Sequence, residues 1–103
     1  MRYPVKLAMR YRGLYSSQWF DGQTLNVSAS GVLFARDPAD VELRLRQRSA
    51  IEMDLQMPDE ISGAGGARVR CTGYVTRMMA VSHAISTPQA AVTIDRYRFE
   101  PVR

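Results

Sequence analysis

The chain has 103 residues, of which 46% are apolar and 23% charged; this fits one domain over residues 1–103 with a single core and excludes a disordered chain. No apolar run approaches the ~20 residues a spanning helix needs. The opening MRYPVKLAMRYRG also lacks the unbroken apolar stretch of a secretion signal, so a cytoplasmic protein without membrane insertion is expected. The net charge of +4 comes from thirteen Arg and one Lys. Most surface arginines only keep a small domain soluble, but guanidinium forks also grip phosphates and guanine edges in a two-pronged way that lysine cannot match.

From the N-terminus, Tyr3, Val5, Leu7, Met9 and Tyr11 take odd positions, while Arg2, Lys6, Arg10 and Arg12 take even ones. Period-two alternation predicts a half-buried strand over 3–11 with its cations on the outer face. Arg10 and Arg12 read as solvated strand-end charges. RGLYSSQWFDGQ then reads as a hairpin connection with an excursion at Trp19 and Phe20. Strands over 24–27 and 32–35 follow, and Asp37-Pro38 is a breaker.

Residues 40–46 are ambiguous between a short strand and a helical turn, and the alternation of Val41, Leu43 and Leu45 favours extended structure. Residues 50–57 are a clear strand. PDEISGAGGA reads as a glycine-rich hairpin loop; without a lysine or a following helix it is no phosphate-binding loop. ARVRCTGYVTRMMAV is a long strand in which Gly73 marks a bulge or a close approach. SHAISTPQ is a loop, and AAVTIDRYRF is the last strand, with a bulge predicted between Ile94 and Tyr97 where the apolar phase slips. About six antiparallel strands, with one short helix at most, make an all-β barrel or sandwich.

No catalytic constellation appears. His83 is the single histidine and lies in a loop, the serines lack a histidine partner, and Asp59-Glu60 beside Pro58 reads as turn capping. Cys71 is the one cysteine, which rules out an internal disulfide and a Cys-based zinc site; its strand setting implies a buried, inert thiol. The expectation is a binding module that is not an enzyme and needs no metal or cofactor.

The stretch LNVSASGVLF breaks a strand pattern with Asn26, Ser28 and Gly31. This N-x-S-x-x-G pattern resembles the second half of the signature of the PilZ-domain family, bacterial receptors for cyclic di-GMP. The first half, R-x-x-x-R, is incomplete. Either Arg2 stands for its second arginine, or Arg2-x-x-x-Lys6 puts a lysine in that place. Arg2-Tyr3-Pro4, the GVLF after the motif, IEMDLQMP, VRCTGYVTR and AVTIDRYRF follow the family's order, so the likeness runs over nearly the whole chain.

The resemblance implies a small antiparallel six-stranded β-barrel. It implies cyclic di-GMP as ligand, held by Arg2, Lys6, Asn26, Ser28 and Gly31, and a partner protein in motility, pilus or exopolysaccharide control. In this picture Gly31 takes a positive φ, so that the backbone approaches a flat base. Family members with degraded arginine pairs act as protein-interaction adaptors, and Trp19, Met78 and Met79 suit such an interface. A third possibility is a basic barrel for nucleic acid, using Arg44, Arg46, Arg48, Arg68 and Arg70 with Tyr74 for stacking. Glu42, Glu52 and Asp54 interleave with those arginines and argue against it.

Overall fold

The computed structural model describes residues 6–57 and 67–101. The alternation at the N-terminus becomes β1 (Ala8–Gly13), whose Met9 and Tyr11 are buried together with Leu7 just ahead of it. β1 pairs on one edge with β2 (Phe20–Val27) and on the other with β4 (Ala50–Met57), and that second pairing closes the barrel. The remaining strands are β3 (Gly31–Ala35), β5 (Ala67–Met79) and β6 (Gln89–Pro101). All six strands pair antiparallel, in the order β1-β2-β3-β6-β5-β4. The all-β barrel is thus the architecture observed. The glycine-rich segment PDEISGAGGA lies, apart from Ala67, outside the described residues, as do Arg2 and Asp59-Glu60.

Two elements differ from the sequence expectation. β2 starts at Phe20, and Asp21-Gly22 is strand, not turn. Phe20 pairs with Tyr11 and is buried. Gly22 is needed because a Cβ there would stand 2.9 Å from the Ala35 carbonyl oxygen and 3.2 Å from the Tyr11 ring. Residues 40–46 are not extended: Pro38–Leu43 form a 3-10 helix. Asp37 caps it by accepting from the Ala39 amide at 2.9 Å, Pro38 presets its first turn, and Arg44, in the left-handed region at φ 50°, ends it. Local capping here outweighs a short apolar alternation, and Val41 is left exposed.

The helix also delivers Asp40 to the barrel interior, where it is 1% exposed. The Tyr11 hydroxyl donates to Asp40 Oδ2 at 2.6 Å and accepts from the Asp37 amide at 2.9 Å. Arg36 grips both Asp40 oxygens, at 2.9 and 2.7 Å. Every buried side-chain polar atom of this plug therefore has a partner, which is the condition for burying a charge. Tyr11, Phe34, Ile51, Met53 and Val75 form the centre of the core.

Both expected irregularities of the long strands are present. Thr72 pairs with Arg96 and Gly73 with Ile94, so Asp95 is the extra residue of a bulge. A Cβ at Gly73 would run into the Thr93 carbonyl oxygen, which is why this strand needs glycine. A second bulge falls at Thr76, between Val75–Val92 and Arg77–Ala91. Cys71 is buried as expected, and desolvation, with a smaller push from Asp54, raises its thiol to about 11.

Candidate functional site

The turn between β2 and β3 is short. Ser28 N donates to the Gly31 carbonyl at 2.9 Å, leaving Ala29 and Ser30 as its tip. Two-residue hairpins usually require positive φ at their tips, but the non-glycine residues with positive φ are Arg44 and Arg48 among the described residues. The Ser28 side chain compensates: its Oγ accepts from the Gly31 amide at 3.1 Å and from the Ser30 amide at 3.3 Å. A bulge at Leu25 adjusts the register below. Gly31 does not take the positive φ expected of it; it opens β3 in extended conformation. Its smallness serves a close approach, since a Cβ would sit 3.0 Å from the Val92 carbonyl oxygen on β6.

Around this hairpin lies an open groove of about 540 Å³ on the outer wall, crossing β2, β3, β6 and β5. Asn26, Ser28 and Gly31 all line it. Among the described residues the Asn26 carboxamide has no hydrogen-bond partner, while the Ser28 hydroxyl is occupied by the turn. Lys6 is exposed and does not line the groove. It precedes Leu7, which exchanges bonds with Thr24: Leu7 N donates to Thr24 Oγ1 at 2.7 Å, and Thr24 N donates to the Leu7 carbonyl at 3.0 Å. The chain thus enters the barrel at the end that carries the Asn26 motif.

Sequence reasoning missed Arg77, the cation of this groove, together with Thr76 and Thr93 on its wall. Arg77 is exposed and makes no ion pair among the described residues. The Thr76 bulge, held by its hydroxyl donating to the Ala91 carbonyl at 3.1 Å, sets Arg77 opposite Ala91 on the groove side. A break in alternation at Val75-Thr76-Arg77 was the signal available for it.

The other arginines are arranged differently from the expected stripe. Arg10 and Arg12 are not merely solvated: they pair with Asp54 at 3.0 Å and Glu52 at 3.2 Å, and their guanidinium carbons stand 4.8 and 4.6 Å from the centre of the Trp19 ring. Arg68 and Arg70 join the same two carboxylates. Arg44, Arg46 and Arg48 lie towards the other end of β5, where Arg48 N bonds the Val75 carbonyl. Trp19 and Met78 are half-buried, and Met78 packs on the core. His83 is exposed in its loop. No cluster of three metal-ligating side chains occurs among the described residues, and no described helix is long and apolar enough to cross a membrane.

The class of molecule this defines is a small closed antiparallel barrel with a polar groove beside one hairpin. Among solved structures, it is similar to Bacillus subtilis inhibitor of motility (MotI/DgrA), with a TM-score of 0.75 over 94% of this chain. Identity is 10%, so the likeness is one of fold, and this chain spans 42% of the length of that one. No protein-family model matches the sequence, and neither does any curated protein.

Proposed function

We propose that this chain is a cyclic di-GMP receptor and adaptor of the PilZ type, passing the second-messenger signal to a partner protein in motility, pilus or exopolysaccharide control. The observation that carries the reading is the gathering of Asn26, Ser28 and Gly31 on one groove beside the unpaired Arg77. At about 540 Å³ the groove falls in the range of small-molecule sites, roughly 300–1,000 Å³. The fold neighbour, an inhibitor of motility by name, is consistent with this reading.

The chemistry fits the ligand. Cyclic di-GMP offers two phosphates and two guanine edges. The free Asn26 carboxamide can both donate to and accept from a base. Arg77 supplies the two-pronged grip on guanine O6/N7 or a phosphate that Lys6 cannot make, and so answers in part for the incomplete R-x-x-x-R half of the motif. Lys6 adds positive charge from the N-terminal side of the barrel. Calorimetric titration of cyclic di-GMP into the full chain should give a saturable isotherm. Asn26→Ala and Arg77→Ala should each weaken it about tenfold, for the loss of one well-made contact of roughly 1–3 kcal/mol. No heat at high protein concentration would remove the receptor reading.

A second reading, an adaptor that binds protein without nucleotide, draws on the occupied Ser28 hydroxyl. In that case the motif serves only to close the hairpin. Recovery of a motility or pilus component by the nucleotide-free chain would favour it.

A further inference from the structure

The barrel is closed along most of its length, but β6 outruns its neighbour. Its pairing with β3 ends at Gly31–Thr93, and the Ile94 amide makes one last bond to the Ser30 carbonyl at 2.9 Å. From Arg96 to Pro101 the strand pairs only with β5, so its other edge is open among the described residues. An open edge is a template for another extended chain.

The two faces of this overhang are unlike. Residues directly opposed in a sheet share a face. Tyr97 opposes the buried Cys71 and Phe99 opposes Val69, so both aromatics lie on the inner face; yet they are 55% and 64% exposed. They meet edge to face at 6.2 Å and form a ledge that the barrel does not cover. On the outer face Arg96 opposes Thr72, Arg98 opposes Arg70 and Glu100 opposes Arg68; Arg98 Nε is paired with Glu100 Oε1 at 2.8 Å, while Arg96 makes no ion pair among the described residues. With Arg12 they line a second groove of about 420 Å³, in which Glu52 is the one carboxylate. Charged residues and the Asp95 bulge, features that guard many edges, are present here, but two exposed aromatics stand beside them.

We infer that the Asp95–Glu100 edge of β6 accepts an extended segment of a partner protein in which acidic and apolar residues alternate. Such a strand places its side chains on alternate faces. Its carboxylates meet Arg96 and compete with Glu100 for Arg98, on a face that Arg12 and Arg70, already paired with Glu52 and Asp54, keep net positive, while its apolar side chains lie on Tyr97 and Phe99. A second copy suits the edge less well: in symmetric pairing centred on Arg98 the two Arg98 side chains oppose each other, although each Arg96 then faces Glu100. The surface is separate from the Asn26 groove, and the inference holds whether or not nucleotide binds there.

The test uses the full chain without nucleotide and a blocked six-residue peptide of alternating glutamate and valine. Its controls are an isomer with three glutamates followed by three valines, and an alternating lysine–valine peptide. The alternating acidic peptide should bind saturably, about tenfold tighter than the block isomer, and should slow amide exchange across residues 95–100. The double variant Arg96→Glu/Arg98→Glu, altered only at exposed positions, should lose about tenfold towards the acidic peptide and gain affinity for the lysine–valine one. Gain with the lysine peptide also shows that the variant is folded. No binding, equal binding of the block isomer, or binding without amide protection overturns the proposal.

Discussion

The buried plug makes a quantitative prediction at Tyr11. In Tyr11→Phe the ring and its packing against Phe34, 4.8 Å between centroids, are kept, and only the hydroxyl is lost. That hydroxyl donates to the Asp40 carboxylate and accepts from the Asp37 amide. A hydrogen bond to a charged group contributes about 1.5–3 kcal/mol, and stranding a partly buried amide costs about 1 kcal/mol more. The variant should therefore lose about 2.5–4 kcal/mol, a large share of the ~5–15 kcal/mol typical of a small domain. Chemical denaturation followed by circular dichroism measures this loss. The alkaline limb is a second readout. Burial, then the bond to Asp40, holds the Tyr11 hydroxyl well above its ordinary value of 10.0. This group's contribution is whole below about pH 10 and declines as pH rises further. The parent should lose stability there more steeply than Tyr11→Phe. A variant within about 0.5 kcal/mol of the parent, with the same alkaline slope, would refute the plug as a source of stability.

Other consequences follow from single positions. Cys71 has its thiol raised from 9.0 to about 11, so its contribution is whole below pH 9 and is lost on rising towards pH 11; Cys71→Ala should flatten that limb of a stability–pH curve. The same thiol should resist a disulfide reagent in the native protein and react on unfolding. Gly73→Ala, which forces a Cβ into the Thr93 carbonyl, should cost about 1–3 kcal/mol in the same denaturation assay. Trp19→Ala removes the ring flanked by Arg10, Arg12 and Arg70. Partly exposed contacts of this kind contribute about 0.5–1 kcal/mol each, so a loss near 1–2 kcal/mol is expected, shrinking in high salt.

The strands that alternate cleanly were legible in the sequence because one face is buried: Met9 and Tyr11 in β1, with Leu7 just ahead of it, and Ile51, Met53 and Leu55 in β4. The Asp95 bulge was legible for the same reason, since an extra residue shifts the apolar phase. Elements governed by non-local contacts were not. Asp21-Gly22 looks like a turn unless the Ala35 carbonyl and Tyr11 ring are known to lie against it. The 3-10 helix is capped locally by Asp37 and Pro38, but the burial of Asp40 against Tyr11 joins residues far apart in the chain. At the groove, the hairpin motif was visible as a pattern, but Arg77 reaches it only through a bulge in β5 and the neighbouring position of β6. The arginines counted as loose charge proved to be organised by Asp54, Glu52 and Trp19.

The groove assignment is tested most directly by amide chemical-shift mapping of the full chain titrated with cyclic di-GMP. The account predicts saturable shifts concentrated at Asn26–Gly31, Thr76 and Arg77, lost together in Asn26→Ala. Shifts confined to the second arginine groove at Arg12, Arg70 and Arg98, or no shifts at all, would contradict it.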